Sequence, residues 1–235
     1  MADLKTLLVL QEHDRSIDQL QYRHAHHPLR QEIALVDSQI TKLEALTTDI
    51  GSARDEVARD ESKRANEVAK FSEHAAVAEA RLYSGDVTAP RELQALQADI
   101  EQLKRQVRGC EDLQLEAMEI REPLDAQLAE VTAARAEADV KTKTLSATLA
   151  AELATIDSEI DQEVNQRNSI ASTVAPELLA DYDRRRANGA GAARLVGVRC
   201  EGCHLTIPNV EAERIRKAPE GTAASCENCG CILVP

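Results

Sequence analysis

The chain has 235 residues with 41 acidic against 28 basic side chains, a net charge of −13, one Phe, three Tyr and no Trp. So few rings leave little large apolar area to bury, and 37 Ala beside 9 Gly and 7 Pro give the composition of long helices, which excludes a large mixed α/β enzyme. From Tyr182 onward there are 8 basic and 6 acidic residues, so nearly all the negative charge precedes it and any contact with a polyanion falls to the C-terminal part.

Met1 to Lys5 lacks the basic start of a signal peptide, and Leu7 to Leu10 is too short for its apolar run. No stretch approaches a membrane span, so a cytoplasmic protein without membrane contact is expected. Leu4, Leu7, Leu8, Leu10, Ile17 and Leu20 mark a short amphipathic helix that ends near His24-Ala25-His26-His27-Pro28. These three His read as a polar helix end rather than a metal site, because no fourth ligand lies nearby.

From Ile33 through Val36, Ile40, Leu43, Ile50, Val57, Val68, Phe71 and Ala75 to Leu82, apolar residues fall at steps of three and four in one heptad frame. Thr47, Arg54, Glu61 and Arg64 share that seam, which predicts loose pairing in its middle. A second frame runs from Leu93 to Leu149, broken by Gln114, Arg121 and Arg135, and continues in shifted register through Leu153, Ile156, Ile160 and Val164. Pro123 within it is expected to kink or interrupt the helix. Tyr83 to Pro90 separates the frames with a bend-permitting Gly85 and a helix-starting Pro90.

Two seams joined by a short break predict an antiparallel coiled-coil hairpin with its tip near 83–92. Helices of roughly 50 to 70 residues make that a rod of about 75 to 105 Å. Leu113, Leu115, Met118 and Ile120 lie off the seam as a second apolar edge. That edge is expected to receive the N-terminal helix, with dimerisation as the other use. The first domain is placed at 1–181.

The second, 182–235, comprises a linker helix and a small module. Pro176 to Arg186 reads as a short helix whose Arg184-Arg185-Arg186 end suits a helix C-terminus or a cationic contact. Asn188-Gly189-Ala190-Gly191 reads as a flexible joint. Cys200-Glu201-Gly202-Cys203 and Cys226-Glu227-Asn228-Cys229 are two C-x-x-C knuckles at zinc-ribbon spacing. Two such turns bring four thiolates to one tetrahedron, and a reducing compartment favours metal over disulfides. One structural Zn2+ on Cys200, Cys203, Cys226 and Cys229 is predicted, with no open position for catalysis. Around it, Ala193 to Arg199 and Cys231 to Val234 read as short strands, and Asn209 to Lys217 as a helix capped by Asn209.

His204 is a weaker candidate ligand because four better-spaced thiols exist. Cys231 follows the second knuckle by one residue, awkward for the same zinc, and reads as a surface thiol open to redox chemistry. Cys110 falls at a d position and reads as a small apolar side chain.

In Tyr83-Ser84-Gly85-Asp86-Val87 with Pro90 to Gln97, in Leu205-Thr206-Ile207-Pro208, and in the two knuckles with Gly230, Ile232 and Leu233, the sequence resembles the bacterial coiled-coil hairpin proteins with a C-terminal C4 zinc ribbon. That family usually carries Arg at the place of Cys231. The resemblance implies a mainly α fold, with a small ribbon of short strands and one helix, and a regulatory adaptor rather than an enzyme. Relatives are linked to an alternative sigma factor, secretion components and flagellin messenger RNA.

The leading expectation is thus a non-catalytic adaptor that binds a protein partner, with no small-molecule substrate. Candidate contacts are Tyr83, Val87, Arg91 and Leu93 at the tip, and Arg194, Arg199, Arg214, Arg216 and Lys217 on the ribbon. The tip residues also serve simply to close the bend. Nucleic-acid binding by the ribbon ranks second, because Glu201, Glu211, Glu213 and Glu227 dilute its charge and stacking rings are missing.

Overall fold

A computed structural model describes residues 4–219 and 222–235. Met1 to Asp3, on which part of the targeting expectation rests, lie outside the described residues. Five helices and four short strands follow in order: α1 (Leu4–Ala25), α2 (Pro28–Tyr83), α3 (Pro90–Ala171), α4 (Pro176–Arg186), β1 (Ala192–Val196), β2 (Arg199–Cys200), α5 (Asn209–Lys217), β3 (Ala224–Ser225) and β4 (Ile232–Val234). No described helix is long and apolar enough to cross a membrane. Contacts divide the chain into two compact units, Glu32–Leu145 and the remainder, which joins the residues up to Gln31 with Ser146–Pro235.

The first unit is a helical hairpin of α2 and α3, as the two heptad frames predict. Val36 and Ala75 of α2 and Ile100 and Ala117 of α3 are buried, while most other seam positions are half-covered. The polar middle carries ion pairs between the two helices. Arg54 Nε donates to Asp125 at 2.8 Å, Arg121 pairs with Glu61, Arg135 with Glu44 at 2.7 Å, and Lys104 with Glu79 at 2.5 Å. These pairs run in opposite directions along the two helices and fix the antiparallel register. Charge at the seam trades hydrophobic burial for specific partners. Pro123 does not interrupt α3, which is continuous across it. Pro123 and Glu119 are both exposed, on the solvent side of the helix. Leu113, Leu115, Met118 and Ile120 remain exposed and do not receive α1.

The second unit shows where α1 goes. His13 Nδ1 lies 2.6 Å from Glu163, and His27 Nε2 lies 2.8 Å from Glu152, so α1 and its end are tied along the last turns of α3. Leu7 and Leu10 are fully buried with Ala171, Val174, Tyr182, Ala192 and Ile232. α1 therefore buries its stripe against α4, the end of α3 and the ribbon sheet.

That sheet has the order β2-β1-β4-β3, with β1 parallel to β4 and antiparallel to β2. Ala192 and Ile232 face the α1 side, whereas Ala193, Leu195 and Leu233 join Ile207, Ala212, Ile215 and three cysteines in a second core. A small ribbon is thus covered on both faces.

A boundary at 181/182 passes through α4, where Tyr182 is fully buried. The joint at 188–191 is also held at its end: Gly191 N–H donates to Gln11 Oε1 at 2.7 Å, and its carbonyl accepts from Ile232 N–H. α5 has the expected bounds, but Pro208 occupies the cap position and no side chain caps it, so Asn209 is the first helical residue.

Candidate metal centre

The two knuckles have the same backbone design. In the first, His204 N–H donates to Cys200 O at 2.8 Å and Cys200 N–H to Leu205 O at 3.0 Å. In the second, Gly230 N–H donates to Cys226 O at 2.8 Å and Cys226 N–H to Cys231 O at 2.9 Å. His204 therefore stands where Gly230 stands, and Leu205 where Cys231 stands. Both turns need a left-handed residue there, with φ of 63° at His204 and 75° at Gly230. The turn explains His204 without a ligand role.

The knuckles bring Cys200, Cys203, Cys226 and Cys229 together, with all four Sγ atoms within 4.8 Å of one another. Cys200 and Cys229 Sγ are 3.9 Å apart, as are Cys203 and Cys226. Zinc–sulfur bonds of about 2.3 Å place tetrahedral sulfurs about 3.8 Å apart, so the four thiols fit a structural zinc in spacing and chemistry. When bound, the metal supplies cross-linking of two turns that have little core of their own. Cys200 and Cys226 are buried, Cys203 half-buried and Cys229 exposed. Burial pushes the Cys226 thiol up to about 12, a cost that a metal offsets by holding the thiolate.

Cys231 is not the surface thiol expected. It is fully buried, with Sγ 3.6 Å from Cys200 Sγ and 3.4 Å from Cys229 Sγ. The histidines near Pro28 are also accounted for: His24 and His27 face Asp157 and Glu152, and His26 stacks on Tyr22. Cys110 is half-buried, 3.7 Å from Glu67 Oε2.

Most of the candidate cations are engaged. Arg214 pairs with Glu211, Lys217 with Glu213 at 2.7 Å, and Arg216 donates to Gly197 O. Arg194 and Arg199 are exposed and make no ion pair among the described residues. Arg194 lines a groove of about 560 Å³ with Leu8, Arg15, Glu201 and His204. In the Arg184–Arg186 run, Arg185 donates to Gly230 O behind the second knuckle and Arg186 to Asp18 of α1, while Arg184 is exposed. At the tip, Tyr83 is 84% exposed, Arg91 is exposed, and Val87 and Leu93 are half-buried.

Sequence reasoning missed Gln11 and Asp14, which place the ribbon against α1. Gln11 Oε1 accepts from Gly191 and Ala192 N–H, and Asp14 accepts from Tyr182 and Arg167. Their signal was spacing, since they follow Leu7 and Leu10 by four residues and share the buried stripe.

Comparison with known proteins matches the same two parts. The profile of the CT398-like coiled coil hairpin domain covers residues 10–190, and that of the C4-type zinc ribbon domain covers 199–233. The chain belongs to the CT398-like hairpin family. A Mycobacterium tuberculosis relative, Uncharacterized protein Rv2229c, is 29% identical over all of this chain and 96% of its own length. A solved Mycobacterium smegmatis structure shares the fold with a TM-score of 0.90 at 23% identity, over 100% of this chain and 99% of that one. CT398 from Chlamydia trachomatis follows with a TM-score of 0.70 at 18% identity, over 98% and 96%. The match to the C4-type zinc ribbon domain agrees with the sulfur geometry.

Proposed function

We infer that the protein is a non-catalytic cytoplasmic adaptor whose ribbon, folded around one structural zinc, docks a protein partner, with the hairpin tip as a second contact. The closed donor set carries this reading. Four thiolates use every position of a tetrahedral zinc, so neither water nor substrate has a place on the metal. A hairpin joined to a ribbon serves scaffolding, and a family of such hairpins fits that role.

Protein is favoured over nucleic acid as the partner. Phosphate binding releases counterions only when free cations meet the backbone, and Arg214, Arg216 and Lys217 already have partners. Arg194 and Arg199 remain as exposed hydrogen-bond donors for an acidic partner surface. The exposed Tyr83 ring at the tip is a side-chain type enriched at protein interfaces.

The test is capture of the tagged full chain from its native cells, with and without nuclease, beside a Cys226→Ser/Cys229→Ser variant and an Arg194→Glu/Arg199→Glu variant. Proteins that survive nuclease and are lost with both variants support the adaptor. Recovery of nucleic acid alone, or of protein that nuclease removes, overturns it.

A further inference from the structure

We propose that Cys229 and Cys231 form a peroxide-responsive pair, in which Cys229 is oxidised and Cys231 resolves it as a disulfide that releases the zinc. The four thiols at tetrahedral spacing complete the metal site, which leaves Cys231 as a fifth thiol without an assigned role. Its place is filled by Leu205 in the first knuckle, so the turn itself does not require sulfur there.

Two observations give that sulfur its chemistry. Cys229 is the exposed member of the cluster, the one that a small oxidant reaches first. The Cys231 Sγ lies 3.4 Å from it, nearer than Cys200 Sγ at 3.9 Å. Accessible thiolates beside a resolving thiol are the typical sites of reversible oxidation. Gly230 between them, at φ 75°, turns the chain, and the two sulfurs come within 3.4 Å of each other. The pair is fed by hydrogen peroxide, a diffusible two-electron oxidant.

The step balances. The Cys229 thiolate attacks one peroxide oxygen, the O–O bond breaks, and Cys229 becomes a sulfenic acid as hydroxide leaves. The Cys231 sulfur then attacks the Cys229 sulfur, the S–O bond breaks, and the Cys231 proton leaves with that oxygen as water. In sum, one thiolate, one thiol and one peroxide give one disulfide, one hydroxide and one water. A disulfide sulfur is a poor zinc ligand, so the site loses a donor and the metal leaves. Reduction by a dithiol restores both thiols.

The inference rests on the zinc reading, so metal content is measured first; a purified full chain without zinc fails that reading separately. Zinc-loaded full chain is then exposed to hydrogen peroxide, with release followed by a chromogenic chelator and disulfides mapped by mass spectrometry after alkylation. Release in step with a Cys229–Cys231 disulfide, reversed by dithiothreitol and zinc, is expected. In Cys231→Ala and Cys231→Ser, peroxide drives Cys229 to the sulfinic acid and recovery is lost. A disulfide mapped to another pair, or none during release, overturns the proposal, as does recovery of the variants equal to that of the unaltered chain. If neither variant holds zinc, the disulfide map of the unaltered chain decides alone.

Discussion

The Tyr182 hydroxyl donates to Asp14 Oδ2 at 2.6 Å, joining α4 to α1 across 168 residues of sequence. Asp14 is only 8% exposed, yet it also receives Arg167 Nε at 3.2 Å and faces Arg186, so the buried carboxylate is well compensated. This cluster and Gln11 hold the ribbon sheet to α1.

Burial raises the Tyr182 pKa above its ordinary value of 10.0, and the bond to Asp14 adds to the rise. The phenol ionises near pH 10 in the unfolded chain but higher in the folded one. Its contribution is therefore complete below about pH 10 and drains away as pH climbs beyond it. Urea unfolding at a series of pH values should show this as a steeper alkaline loss in the unaltered chain than in Tyr182→Phe. The variant should start about 1 to 2 kcal/mol less stable at neutral pH. Parallel profiles would remove Tyr182 from the alkaline limb.

Gly191→Ala should destabilise the second unit by about 1 to 3 kcal/mol, the usual range for overpacking. An added Cβ would meet the fully buried Tyr182 ring at 2.5 Å. Gly109→Ala is the contrast: its Cβ meets nothing within 4 Å on an exposed helical position, so a gain of about 0.5 to 1 kcal/mol is expected. Thermal unfolding of the two variants checks both signs.

His204→Gly should keep full zinc affinity and gain about 0.5 to 1 kcal/mol, because it relieves a left-handed conformation at a side chain that binds no metal. Competition titration against a zinc chelator reads the affinity directly. A loss of tenfold or more would make His204 a ligand after all.

The seam pair Glu61 and Arg121 is partly buried, with side chains 16% and 33% exposed. Arg121→Leu alone strands Glu61 and should cost about 1 to 3 kcal/mol, whereas Glu61→Leu/Arg121→Leu should recover that loss or exceed it. Melting temperatures of the three proteins decide it. If the double variant melts below Arg121→Leu, the charges do more than fix register.

The hairpin and the four clustered cysteines were legible because each rests on local spacing: heptads write a seam, and C-x-x-C writes a knuckle. The bounds of α4 and α5 were equally local, set by Pro176 and by the run that follows Pro208. What escaped depended on partners far along the chain. Cys231 looked exposed because a one-residue spacer says nothing about the core beneath it, which Ala193, Leu195 and Ile215 supply. Pro123 looked like a break because its exposed position on the helix is not written locally. Leu113 to Ile120 looked like the seat for α1 because the alternative seat comes together only when α4 and the sheet fold.

X-ray absorption at the zinc edge of the purified full chain measures the donor set directly. A shell of four sulfurs at about 2.3 Å is expected, unchanged in His204→Gly and reduced in Cys229→Ser. A nitrogen in the first shell of the unaltered chain would make His204 a ligand, and an oxygen there would be an open position that contradicts the closed centre.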